Sequence, residues 1–179
     1  MVDLDRINRN MLYREFYLPD AARLNNCLFD RFLALADTDR VRQTHHFAGR
    51  FENTYIDSAD IPEIARITEI MRQQAAIHLG MPEATLKTGF WFNAMQAGHR
   101  TVLHTHDENN ELLSGVYYIR VPANSGELIL HDRGKKVRLQ PEEGKLIMFA
   151  PSVSHEVSVH QGSGLRLSVA MNVGPQGSV

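Results

Sequence analysis

From Leu86 to Val173 the chain is cut into short extended runs by turn-forming residues, and that rhythm limits the fold more than any other feature of the sequence. The breaks fall at Ala97-Gly98, Asp107 to Asn110, Pro122 to Gly126, Asp132-Arg133-Gly134, Pro141 to Gly144, Pro151-Ser152 and Gln161 to Gly164. They delimit about eight strands at the spacing of an all-β sandwich or barrel. The last run, Leu165 to Val173, alternates strictly. Leu165, Leu167, Val169, Met171 and Val173 are apolar, and Arg166, Ser168, Ala170 and Asn172 lie between them. Side chains two apart on a strand share a face, so the odd row belongs to a core. The even row is either solvent surface or the lining of a polar cavity.

The first third has a helical period instead. Leu24, Leu28, Phe32 and Leu35 form a stripe within Leu18 to Asp37, with Pro19 expected in the first turn. A second helix is expected to open at Asp60, with Pro62 just inside it and Glu63 completing a capping box. Ile64, Ile67, Met71, Ala75 and His78 would line its inner face, and Gly80 with Pro82 would stop it. Phe47 to Ile56 reads as a strand or two. The expected organisation is a single domain over 1–179, with 1–85 as helical support carrying one or two strands, 86–173 as the barrel core and 174–179 as a frayed tail.

Composition serves mainly to exclude. A hydrophobic share of 43% and a charged share of 22% are those of a globular chain, not of a fibre or a disordered segment. A net charge of -2 without a run of Lys or Arg offers no footprint for nucleic acid. No stretch approaches the roughly eighteen apolar residues of a membrane helix. Met1 to Arg14 lacks the apolar run of a secretory signal, and a lone cysteine forms no internal disulfide, so the expected location is cytoplasmic. Cys27 itself falls in a helical run and reads as a small buried hydrophobe.

The chemistry concentrates in His104-Thr105-His106. Two imidazoles two residues apart on an extended strand can converge on one ion. His155, at the start of another strand-like run, can join them from a neighbouring strand, giving three nitrogen ligands with open positions left over. Such a set suits iron, zinc, nickel or copper. Arg166 lies eleven residues later with Ser168 on the same face. An inward guanidinium beside a hydroxyl is a carboxylate clamp, and without an acidic neighbour it demands an anion.

These residues occur in a familiar order. Thr88-Gly-Phe-Trp-Phe-Asn93, Gly98-x5-His104-x-His106, Leu112-Leu-Ser-Gly-Val-Tyr-Tyr-Ile119, Pro122, Ser125-Gly-Glu-Leu128, Gly144 to Phe149, His155-Glu-Val157 and Arg166-x-Ser168 together resemble the prolyl-hydroxylase-like iron(II) and 2-oxoglutarate oxygenases, most closely their bacterial and phage branch. The resemblance covers Leu86 to Val173. It implies a double-stranded β-helix, a jelly-roll or cupin-like barrel with supporting N-terminal α-helices. It also implies Fe(II) as metal, 2-oxoglutarate as cosubstrate and dioxygen as oxidant, with succinate and carbon dioxide released as an unactivated C–H is hydroxylated. By the same resemblance His104 and His155 are metal ligands, Arg166 binds the distal carboxylate of 2-oxoglutarate, Ser168 and Tyr118 assist it, and Asn93 joins from the preceding strand. His106 stands where the family usually carries a carboxylate. The site is then a three-histidine one, or His106 pairs with Glu108, or Asp107 swings in; we prefer the first. The substrate would be a small molecule, a peptide or a protein side chain, and a homodimer is compatible with the sequence.

A metal cupin is the nearest rival, because Gly98-x5-His104-x-His106-x4-Glu111 fits its first motif with Glu111 as a fourth ligand. A barrel that binds a metal or ligand without catalysis is the third reading. Neither gives Arg166-x-Ser168 a task. Of the remaining candidates, His45, His46, His99 and His160 are expected in solvent, His131 at the surface, and Trp91 and Met95 in the core.

Overall fold

The extended runs set off by those seven breaks do become eight strands between Leu86 and Pro175, shared between two antiparallel sheets. The structure, a computed structural model, describes residues 12–47, 49–107 and 109–177. In chain order the elements are β1 (Tyr13–Tyr17), α1 (Ala21–Leu35), β2 (Val41–Phe47), β3 (Arg50–Ile56), α2 (Ile64–Leu79), a 3-10 turn (Glu83–Thr85), β4 (Leu86–Met95), β5 (Thr101–His104), β6 (Leu113–Arg120), β7 (Leu128–Asp132), β8 (Lys135–Leu139), β9 (Lys145–Phe149), β10 (Ser154–Val157) and β11 (Arg166–Pro175). The large sheet runs β1-β9-β6-β11-β4-β3-β2 and the small one β5-β10-β7-β8. The chain passes repeatedly from one sheet to the other, as in the double-stranded β-helix.

The helices cover one face of the large sheet. Leu28 and Phe32 of α1 are buried, and the Phe32 ring meets Phe92 of β4 at 5.2 Å. Ile64, Ile67, Met71, Ala75 and Leu79 bury the inner face of α2. Leu167, Val169, Met171 and Val173, the odd row of β11, lie fully buried in this same core. Each such aliphatic side chain contributes about 1.5–3 kcal/mol of hydrophobic stabilisation. A second cluster around Tyr118, Leu128, Leu130, Ile147 and Phe149 packs between the sheets.

Several local expectations change. Pro19 precedes α1 instead of occupying its first turn, because Asp20 takes a left-handed φ of 53°. The second helix begins at Ile64, not Asp60. Asp57 to Glu63 form tight turns, the Asp60 carboxylate is drawn to Arg40 at 2.8 Å and that of Glu63 to Arg31 at 3.0 Å, so the capping box does not form. Leu79, one turn after Ala75, completes the buried stripe in place of half-buried His78. Gly80 does end the helix, at φ 64°. Among the described residues three strands, not one or two, precede Leu86. β1 pairs with β9 along its whole length, and Lys145 of β9 reaches Glu15 of β1 at 3.3 Å. The expected frayed tail is part of the sheet as far as Pro175, and Gln176 N–H donates to Thr85 O at 2.7 Å. Cys27 is exposed on the outer side of α1. Among the described residues no helix is long and apolar enough to cross a membrane.

Candidate active site

The register of β11 against its two neighbours builds the floor of a cavity in cross-strand rows. Ser168 stands opposite Asn93 of β4 and Tyr118 of β6; Ala170 opposite Trp91 and Val116; Asn172 opposite Gly89 and Ser114. All nine residues line one cavity of about 820 Å³ between the sheets. The even row of β11 is thus a cavity wall and not solvent surface.

The histidines come from the opposite sheet. β10 runs beside β5 with His155 paired directly to His104. His106 lies just beyond β5 and is held by its backbone N–H, which donates to Pro151 O at 2.9 Å. The possible ligand nitrogens of the three lie within 4.8 Å of one another. His104 Nδ1 is 2.8 Å from Val102 O and His155 Nδ1 is 2.9 Å from Val153 O. A carbonyl only accepts, so each Nδ1 carries its proton and each Nε2 keeps a free lone pair. Burial, assisted by the His104 ring, lowers the pKa of His106 to about 4 and that of His155 to about 3. The His106 and His155 imidazoles are therefore neutral at pH 7, the state that metal ligation requires.

The carboxylates considered for the middle position stand elsewhere. Asp107 is exposed and accepts from the Thr105 hydroxyl at 2.8 Å. Glu111 accepts from Asn109 N–H at 2.7 Å and lines the rim without joining the imidazole cluster. Glu108 lies outside the described residues.

At the inner end of the floor Arg166 is 1% exposed. Its Nη1 lies 3.3 Å from Ser168 Oγ and 3.2 Å from Met95 Sδ, and its Cζ is 5.2 Å from the centroid of the Tyr118 ring. Among the described residues no carboxylate pairs with it. Arg166 Nε and Tyr118 Oη are both buried with no hydrogen bond of sound geometry, although the two side chains lie close enough to interact with each other. Burial pushes the Arg166 pKa down and that of Tyr118 up. An unpaired buried charge costs several kcal/mol, and here both residues belong to the wall of the cavity that the imidazoles enter. This donor set fits a dicarboxylate held at one end by Arg166 and reaching a metal at the other. Ser168, Tyr118 and Asn93, singled out with it, are all gathered at this end.

The remaining candidates divide between expectations that change and expectations that hold. Trp91 is not core but cavity wall, its ring 5.6 Å from that of His106; Met95 is fully buried. His160 is fully buried, its ring nitrogens facing Asn124 O at 3.4 Å and Gly164 O at 3.0 Å, so it pins a loop. His99 is half-buried, and His45 reaches the cavity rim. His131 pairs with Glu156 at 2.9 Å outside the cavity. Arg50 was overlooked. Where β3 leaves β4 after the Thr54–Phe92 pairing, its guanidinium donates to Ala94 O (3.3 Å), Arg100 O (3.1 Å) and Thr101 Oγ (3.2 Å), joining β3 to the start of β5. An arginine in a short polar strand gives no sequence signal of that role.

The sequence profile of the family described as "Putative 2OG-Fe(II) oxygenase" matches residues 89–139, from β4 to β8. A search of curated protein sequences returns no match. Solved structures do match. A Pseudomonas putida prolyl-4-hydroxylase has a TM-score of 0.73 at 19% identity, over 94% of this chain and 95% of that one. A Trichoplax adhaerens prolyl hydroxylase, solved with a hypoxia inducible factor peptide, has a TM-score of 0.69 at 13% identity, over 96% and 87%. The epimerase SnoN from nogalamycin biosynthesis, in complex with Fe3+, alpha ketoglutarate and nogalamycin RO, has 0.66 at 14%, over 95% and 82%. Likeness at these identities establishes the double-stranded β-helix.

Proposed function

We propose that this chain is an iron(II) and 2-oxoglutarate oxygenase and, within that class, a hydroxylase acting on an unactivated C–H of a peptide, a protein side chain or a small metabolite. The observation that carries the reading is the buried Arg166, which no carboxylate pairs among the described residues, beside the buried Tyr118 hydroxyl, both in the wall of the cavity that also receives His104, His106 and His155. A cupin or a non-catalytic barrel leaves that pair of buried donors without a purpose. A dicarboxylate cosubstrate gives them one.

His104, His106 and His155 would hold iron(II) through their unprotonated nitrogens. Arg166 and Ser168 would take the distal carboxylate, with Tyr118 donating its hydroxyl. Iron(II) with 2-oxoglutarate and dioxygen supplies the oxidising power for C–H hydroxylation as 2-oxoglutarate is split to succinate and carbon dioxide. The chain contributes position and shelter. Trp91 stands beside His106 and Phe149 beside His155, at ring separations of 5.6 and 4.7 Å, so both flanks of the imidazole cluster are aromatic.

The relatives include prolyl hydroxylases and an epimerase, so the outcome must be read chemically. Fe(II) and 2-oxoglutarate added to the protein without oxygen should produce a visible charge-transfer band that is lost in Arg166→Ala. Air should then release succinate, and a substrate found among amino acids, peptides and cell extract should gain one oxygen atom. No band and no succinate from well-folded, metal-loaded protein would sink the reading. A product that gains no oxygen would exclude hydroxylation while keeping the oxygenase.

A further inference from the structure

The cavity floor is longer than a five-carbon diacid. Ser168 and Asn172 are four residues apart on β11, about 13 Å at the rise of an extended strand. The inner row is occupied by the candidate carboxylate clamp. The imidazoles stand over the middle and outer rows, His106 against Trp91 and His155 against Phe149, the partner of Ser114 on β9. The outer row of Gly89, Asn172 and Ser114 is the one farthest along β11 from Arg166.

Two features of that row point to a ligand. Ser114 is buried and donates its hydroxyl to Asn172 Oδ1 at 2.8 Å, which fixes the carboxamide and turns its NH2 away from Ser114. Among the described residues no acceptor meets that NH2. Gly89 lies on the cavity face with Trp91 and Asn93, in the interior of a ten-residue strand. A Cβ built there meets no atom within 4 Å. Glycine weakens a strand interior and marks places where a ligand approaches the backbone. Nothing in the protein itself needs the space.

We propose that the outer row seats the substrate. Asn172 donates its carboxamide N–H to an amide carbonyl oxygen, and the open space over exposed Gly89 admits the chain that carries it. The substrate class is then an amide, a peptide main chain or an N-acylated amino acid. The inference deepens the oxygenase reading and rests on it for the identity of the inner ligand.

The test uses the metal-free, full-length protein and saturation-transfer NMR. The probes are N-acetyl amino-acid N-methylamides and matched amines in which the carbonyls are reduced. Wild-type protein should bind capped amides and not the reduced compounds. Asn172→Leu should weaken amide binding about tenfold, the worth of one net hydrogen bond, and Gly89→Val should weaken it by filling the space over the strand. Both variants should keep the 2-oxoglutarate charge-transfer band, which also shows that they fold. Equal binding of the reduced compounds, wild-type affinity in both variants, or no amide binding by wild-type protein would each overturn the inference. Absence of the band in wild-type protein is a failure of the oxygenase reading instead, since the NMR experiment needs neither metal nor cosubstrate.

Discussion

Arg166 combines a high energetic cost with a clear purpose. Its charge is buried against a thioether, a hydroxyl and an aromatic face, with Nε unpaired. Replacing such a group by a flexible apolar one should relieve strain in the empty protein. Arg166→Met is expected to stabilise the metal-free chain by about 1–4 kcal/mol in urea titrations. The same change should weaken 2-oxoglutarate binding at least roughly 30-fold, since truncating one partner of a buried charge pair costs about 2–5 kcal/mol; titration of the charge-transfer band measures it. A variant that is less stable, or that binds as well as wild type, would count against the clamp. His155 illustrates the complementary case. His155→Ala removes a candidate ligand itself and should lower metal affinity by more than the roughly 10–100-fold typical of losing an outer-sphere partner, as read by competition with a chelator. The spacing of the histidines and of Arg166-x-Ser168 was legible because strand periodicity alone assigns a face. The absence of an acid opposite Arg166 was not legible, because it is a property of neighbours brought from β4 and β6.

Between elements, the contact that most directly supports the cosubstrate end is polar. Asn25 of α1 is buried; its Oδ1 accepts from the Tyr117 hydroxyl at 2.7 Å and its Nδ2 donates to Tyr118 O at 3.4 Å. The helix is thereby fastened to the strand that carries Tyr118. Burial, only partly opposed by the Asn25 hydrogen bond, raises the Tyr117 pKa to about 12, so its hydroxyl stays a donor. Asn25→Ala leaves that hydroxyl buried and unsatisfied and should cost about 1–3 kcal/mol. Paired with Tyr117→Phe the loss should be less than the sum of the two single losses, and a double-mutant cycle in urea measures the coupling. Strict additivity would mean that the contact carries no energy. An apolar stripe drawn through Leu24, Leu28 and Phe32 passes over Asn25, which is why a helix-face reading missed it. β1 escaped for another reason. Tyr13 to Tyr17 has little periodicity of its own and becomes a strand by pairing with β9.

For the molecule as a whole, a cavity lined by both sheets links ligand binding to stability. Metal together with 2-oxoglutarate at 100 times its Kd should add about 2.7 kcal/mol. For a chain of this size that is a rise of roughly 5–10 °C in Tm. Scanning calorimetry should show the rise with both ligands, its loss with a chelator, and no 2-oxoglutarate increment in Arg166→Met. An equal rise in that variant would place the cosubstrate elsewhere.

Local order in the chain was enough to determine the eight strands from β4 to β11, the burial of the odd row of β11, the two helical stripes and the shared face of His104 and His106, because each follows from a period of 2 or 3.6 residues or from a turn-forming break. Closure of the two sheets decided what no period encodes. It set His155 opposite His104, turned the even row of β11 into a cavity wall, moved Trp91 from core to cavity and His160 from solvent to interior, and left Arg166 without an acid. Those outcomes depend on which strands become neighbours, and contacts between residues far apart in the chain exist only once the barrel has formed.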